Sequence, residues 1–198
     1  MPDSPNVPAQ PTDEALLLLA SQGDQGAFRE VFERYRQKAY RVAYRFLGHH
    51  EEALDAVQDS FIKAYRGLDG FERRSQFRTW FMRIVTNTCL DRRRSRSGES
   101  AVPLEDELID TVAEDGRPHA APDRPLDVMQ ADELRVALHR ALGRLTEAHR
   151  AVFVLHAEEG LTYRETAETL GVNEGTVMSR LFHARKNLQK ILANRGLL

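Results

Sequence analysis

Cysteine is nearly absent: Cys89 is the only one among 198 residues. A lone thiol cannot close an internal disulfide, so a packed core must supply the stability, and the usage suits a reducing cytoplasm. Long apolar runs are missing too. The longest, Ala15 to Ala20, is six residues, far short of the roughly 20 that a membrane-spanning helix needs. No basic patch precedes an apolar stretch near the N-terminus, so that end does not read as a secretory signal. Catalytic signatures are also lacking. There is no glycine-rich phosphate loop, no histidine pair at metal-binding spacing with a carboxylate partner, and Cys89 lies among apolar stripe residues. An enzyme, a metal site and a bound cofactor are therefore not expected.

What the chain does have is charge, unevenly placed. The net charge is only −2. Residues 1–28 carry −4, residues 29–96 carry +7, residues 97–133 carry −9 and residues 134–198 carry +4. Salt screens charge over roughly 8 Å under physiological conditions, so a distant acidic block does not cancel a local basic one. A polyanion would meet two basic blocks. With 41% apolar and 29% charged residues the chain is globular rather than disordered overall.

The apolar spacing is helical nearly throughout, and no alternating strand pattern competes with it. Asp24 is placed to cap a helix carrying Phe28, Val31, Phe32, Tyr35, Val42 and Phe46, and Gly48 ends it. Glu51 and Glu52 favour a second N-terminus, followed by a stripe of Leu54, Val57, Phe61, Tyr65 and Leu68. Phe77, Phe81, Ile84, Val85 and Thr88 mark a third. Residues 97 to about 125 break the pattern with Pro103, Pro118, Pro122, Gly98 and Gly116 in an acidic setting, which reads as a mobile linker. Beyond it Leu134, Leu138, Leu142 and Leu145 share a helix face, and Thr146 is placed to cap the next helix. The expected fold is all-α: two small helical domains joined by a flexible acidic linker. The expected divisions are an N-terminal tail over 1–23, a first domain over 24–96, the linker over 97–126 and a second domain over 127–198.

The last unit reads as a helix-turn-helix. Thr162-Tyr163-Arg164-Glu165 fits a capping box, Gly171 supplies a tight turn and Asn173 is placed to cap a second helix. On that helix Val177, Leu181, Ala184 and Leu188 share one side. Gly175, Thr176, Ser179, Phe182, His183 and Lys186 lie opposite, with Met178 at the margin. A small, polar, partly basic outer face is what insertion into the major groove requires. Arg180, Arg185, Lys186, Lys190 and Arg195 add positive charge. An ordinary αα-hairpin with a solvated face satisfies the same spacing.

The third helix of the first domain mixes arginine with aromatics. Arg73, Arg74, Arg78, Arg83, Arg92, Arg93, Arg94 and Arg96 surround Phe71, Phe77, Trp80 and Phe81. Arginines contact phosphates, and aromatics with a free face stack on unpaired bases. Asn87 offers a donor and an acceptor to a base edge. Phe77 and Phe81 fall on the core stripe, so packing explains them as well; Phe71 and Trp80 are open to either reading.

In order, these segments resemble the small, two-domain extracytoplasmic-function group of bacterial RNA polymerase sigma factors, within the sigma-70 family. The matching text is Asp55-Ala-Val-Gln-Asp-Ser-Phe-Ile-Lys-Ala-Tyr-Arg66, then Phe71 to Trp80 with Ser75, Phe77 and Thr79, then Ile84-Val-Thr-Asn87. Gly160-Leu-Thr-Tyr163 and Gly175-Thr-Val-Met-Ser-Arg180 complete it. The resemblance implies an alternative sigma factor that binds core polymerase and directs promoter-specific initiation. Asp55, Gln58, Asp59 and Phe61 would dock on the beta-prime clamp helices. Phe71, Arg78, Trp80, Arg83, Asn87, Arg92 and Arg93 would capture the melted −10 element, with an extruded base near Phe71 and Asn87. Thr176, Met178, Ser179, Arg180, Phe182, His183 and Lys186 would read the −35 element while the domain sits on the beta flap. A further partner, an anti-sigma factor, is common in the group. Met178 and His183 stand where many members place arginines, so the usual −35 sequence is not assumed, and Asp59 is one methylene shorter than the frequent Glu. The alternative is a stand-alone helix-turn-helix regulator, which would not need the Asp55–Arg66 segment or the arginine–aromatic helix.

Overall fold

Residues 11–71, 76–97 and 136–194 are described by a computed structural model of the chain. The expected linker over 97–126 lies outside the described residues from 98 onward, as do the residues that follow it to 135. Among the described residues all regular structure is helical.

Helix α1 spans Asp13–Ser21. The Thr12 side chain accepts from the Ala15 amide, Asp13 and Glu14 favour the positive first turn, and Leu16, Leu17 and Ala20 are buried. Asp13 accepts hydrogen bonds from Arg34, at 2.9 Å, and from the Tyr35 hydroxyl. The expected tail over 1–23 thus contains a docked helix. Four consecutive leucines hid a helical step in which alternate pairs face in and out.

Helix α2, Gln25–Leu47, starts under the Asp24 cap and stops at Gly48, whose φ of 79° suits a residue without a Cβ. Helix α3 covers His50–Gly67, followed by a single tight turn over Leu68–Gly70, and α4 covers Phe77–Ser97. The face that α3 buries is Ala53, Ala56, Val57, Ser60, Phe61 and Ala64. Leu54 and Tyr65, expected inside, are exposed. Small side chains let α3 approach α2 and α4 closely, so the bulky flanking residues are pushed to the rim. From α4, Phe77, Phe81, Met82, Val85, Cys89 and Leu90 complete the core. Burial pushes the Cys89 thiol up to about 12, which leaves it unreactive.

The second domain contains α5 (residues 136–143), α6 (Glu147–Val152), α7 (Tyr163–Leu170) and α8 (Glu174–Ala193). Thr146 caps α6, which widens into a π-helical turn over Phe153–Glu158 before Gly160. The Thr162/Glu165 capping box forms as the sequence requires, Gly171 takes a left-handed φ of 66°, and Asn173 accepts from the Thr176 amide at 2.7 Å. Arg150, 3% exposed, donates to the carbonyls of Leu142, Gly143 and Leu145 at 2.8 to 3.0 Å, satisfying groups that the end of α5 leaves open.

The two domains touch. Ala151, Val154, Leu155 and Leu161 belong to the same buried apolar cluster as the core of the first domain. Arg150 also reaches across to the Phe46 carbonyl at 3.3 Å.

Candidate nucleic-acid and polymerase interface

Three surfaces bring the expected site residues together. The first is a groove of about 1310 Å³ between α2 and α3. Phe28, Phe32, Tyr40 and Phe61 line it, with Leu54, Ile62 and Tyr65 on its α3 side. Phe61 is buried at its base, 4.6 Å from Phe32 and 4.5 Å from Phe81 by ring centroids. Gln58 lines the groove and is exposed, whereas Asp55 and Asp59 face toward α4. Leu54, Ile62 and Tyr65 are the residues that sequence reasoning missed as surface. Their signal was the surplus of apolar residues on α3 over what one helix face can bury.

The second surface is α4 itself. Phe71 and Trp80 are half-buried, with ring centroids 4.9 Å apart, and both lean on Phe77. A Cβ on Gly67 would come within 3.3 Å of the Trp80 ring, so glycine there gives the indole its seat. Arg83 and Asn87 are exposed one turn apart on the outer side of α4. The remaining expected contacts are already engaged. Arg92 pairs with Asp59 and, at 3.7 Å, with Asp55, so two residues assigned to polymerase and one assigned to DNA meet in one ion-pair group. Arg93 pairs with Glu147 at 3.0 Å, and the Arg78 guanidinium donates to the Glu159 carbonyl. Both of those partners belong to the second domain.

The contact between the domains adds two fork-like ion pairs. Arg41 meets Glu159 through bonds of 2.9 and 3.0 Å, and Arg45 meets Glu158 at 2.9 and 3.0 Å. Burial raises the Glu158 carboxyl above its ordinary range, with Arg45 opposing. Glu165 is held below its range: burial acts upward, but hydrogen bonds from the Thr162 amide and hydroxyl, the Arg78 charge and a bond from Thr79 outweigh it. Sequence reasoning passed over Glu158 and Glu159, since nothing local marks a carboxylate whose partner lies more than 100 residues away.

The third surface is the outer face of α8. Met178, Ser179, Phe182, His183 and Lys186 are exposed there and Thr176 is half-buried. Arg180 is different: it is buried, as are Val177, Leu181 and Ala184 of the same helix. Its position, three residues after Val177 and four before Ala184, puts it on the inner side. Among the described residues no group of three His, Cys, Asp or Glu side chains could hold a metal. No described helix is long and apolar enough to cross a membrane.

Comparison with known proteins identifies the two helical domains. Residues 31–99 match Sigma-70 region 2 and residues 135–188 match Sigma-70, region 4. The chain is 36% identical over 181 residues to the ECF RNA polymerase sigma factor SigM of Mycobacterium tuberculosis H37Rv, covering 91% of this chain and 85% of that protein. Its fold resembles CnrH in complex with the cytosolic domain of CnrY, with a TM-score of 0.69, 27% identity, and coverage of 92% and 97% of the two chains. It also resembles the sigma factor RpoE of Bartonella quintana in complex with the anti-sigma factor NepR, with a TM-score of 0.65, 26% identity, and coverage of 84% and 96%. The chain belongs to the extracytoplasmic-function sigma factors, the initiation factors of RNA polymerase whose sigma-70 regions 2 and 4 correspond to its two helical domains.

Proposed function

We propose a division of labour between residues 24–96 and 127–198, joined by the acidic segment 97–126, acting in the cytoplasm on core polymerase. The α2/α3 groove takes the beta-prime clamp helices. Its exposed Leu54, Ile62 and Tyr65 gain apolar burial there, and Gln58 supplies a polar edge. The outer side of α4 takes the melted −10 strand: Trp80 and Phe71 offer partly open rings for stacking, Asn87 a base-edge pair and Arg83 a phosphate contact. The α8 face reads the −35 element while the second domain rests on the beta flap. Arg180, being buried, is not among the reading residues.

The observation that carries this reading is the exposed Arg83–Asn87 pair beside half-buried Trp80, a phosphate contact and a base reader next to a stacking surface. Arg78 and Arg93 join them only when the domains part, because the second domain holds both in the contact described above. The solved likenesses carry a partner protein, the CnrY cytosolic domain or the anti-sigma factor NepR. An anti-sigma partner for this chain is part of the proposal.

Run-off transcription with purified core polymerase on a promoter library tests it. Defined start sites that depend on the added chain, and that weaken with Asn87→Ala while polymerase binding holds, are expected. Core enzyme that opens no duplex in the presence of the chain overturns it.

A further inference from the structure

The outer face of α8 holds two large apolar side chains that the protein itself leaves uncovered. Phe182 is 64% exposed and Met178 49%, the two highest values among the exposed large hydrophobic residues described. They stand four residues apart, so they sit side by side along the helix, separated by roughly 6 Å of axial rise. The opposite side of α8 already fills the domain core through Val177, Leu181, Ala184 and Leu188. Around the pair the surface is polar and cationic: Ser179, His183, Arg185 and Lys186 are all exposed. His183 stands edge-on to the Phe182 ring with centroids 5.4 Å apart, which steadies the ring against the helix. The Thr176 hydroxyl donates to the Asn173 side chain in the helix cap, so its proton is already in use.

This combination suits one feature of duplex DNA. A cationic rim draws the face to phosphates, but neither a thioether nor a phenyl ring can form the paired hydrogen bonds that select guanine or adenine. The apolar group on a base edge in the major groove is the C5 methyl of thymine. Base pairs are stacked about 3.4 Å apart, so side chains roughly 6 Å apart along α8 reach methyls about two steps from one another.

Resting on the assignment of α8 to the upstream promoter element, we propose that Met178 and Phe182 are specificity-determining residues that read thymine methyl groups at two positions of that element. The sequence preference of this chain is then set there by apolar contact, and Lys186 and Ser179 supply contacts to the backbone.

The test uses the full chain with core polymerase. Promoters with a randomised upstream element are selected for open-complex formation, and each thymine of the selected element is then replaced by deoxyuridine, which pairs identically but lacks the methyl. Selected elements are expected to hold thymine at two positions about two base pairs apart. Uracil at either should cost about four-fold in occupancy, the worth of one buried methyl-sized group. Met178→Ala should abolish the penalty at one position and Phe182→Ala at the other, with binding to core polymerase unchanged for both. Uracil that costs nothing at any position of a promoter the holoenzyme opens overturns the inference and leaves the function intact. The same holds if the two alanine variants lose polymerase binding instead, which would make the strip a protein-docking surface. A holoenzyme that opens no promoter overturns the function itself and the inference with it.

Discussion

Arg41→Ala should loosen the two domains from each other. The Glu159 side chain is 3% exposed, and its two oxygens accept from Arg41 at 2.9 and 3.0 Å. Arg41 is 55% exposed, so its Coulombic attraction is screened and the pair cannot be credited as a buried one. The cost of the substitution lies at the other end, where a desolvated carboxylate loses both side-chain donors. A hydrogen bond to a charged group is worth about 1.5–3 kcal/mol, and discounting for the exposed partner leaves about 1–2 kcal/mol. At 1.4 kcal/mol per decade this shifts the balance between docked and parted domains by about 5- to 30-fold. Ala151, Val154, Leu155 and Leu161 still favour docking through apolar burial, so the change is a shift in population and not a collapse. Dyes on cysteines introduced at exposed Arg66 and Gln189 report the distance by energy transfer, and buried Cys89 does not interfere. Arg36→Ala is the control, because its partner Glu33 lies on the same helix. A distance distribution identical for the wild-type chain and Arg41→Ala, at low and high salt, would refute the reasoning.

Glu158→Gln is expected to flatten part of the pH dependence of stability. The folded carboxyl is raised by burial, so stability falls as pH rises from the ordinary value near 4.5 through the raised one, and urea midpoints across that window should lose this slope in the variant. Thr162→Ala removes the capping box and should cost about 1 kcal/mol in thermal unfolding. Because Glu165 is lowered in the folded state, that cost should be largest above the ordinary carboxylate range and shrink as pH falls below it. Ile62→Glu places a charge on the exposed side of the groove; it should leave the melting temperature nearly unchanged and weaken affinity for core polymerase about ten-fold or more, read by fluorescence anisotropy.

Local chemistry was the legible part of the sequence. Asp24, Gly48, Thr146, Thr162 with Glu165, Gly171 and Asn173 each act within four residues, and each forms the cap or turn its type dictates. Faces were harder where apolar residues outnumber core positions. Leu54 and Tyr65 look like the inner stripe of α3 until the small set Ala53, Ala56, Ser60 and Ala64 is seen to carry the contact. Arg180 looks like a free cation because composition marks it as basic, whereas its register with Val177 and Ala184 turns it inward. The pairing of Arg41 and Arg45 with Glu159 and Glu158 spans more than 100 residues and leaves no periodic trace. The family was nevertheless recognisable, because its motifs are contiguous strings.

The charge blocks take on a different meaning once the partners are known. Of the sixteen basic residues in 29–96, Arg34, Arg36, Arg41, Arg45, Arg92, Arg93 and Arg96 are in ion pairs, and Arg78 is bound to a carbonyl. Arg36, Arg92 and Arg96 pair with acids already subtracted in the +7, but Arg34, Arg41, Arg45 and Arg93 pair with acids outside residues 29–96, so +7 overstates what a phosphate meets while the domains are docked. Four of those engaged arginines, Arg41, Arg45, Arg78 and Arg93, are held by the second domain. If the domains separate, as proposed above, these four are released together, and affinity for nucleic acid is expected to rise in the same step. Each phosphate neutralised on single-stranded DNA steepens the salt dependence by about 0.7 in log–log slope. A chain held docked by a cross-link between the domains should accordingly show a shallower slope than Arg41→Ala, even though the variant has lost a positive charge. Counting charges along the sequence predicts the opposite order.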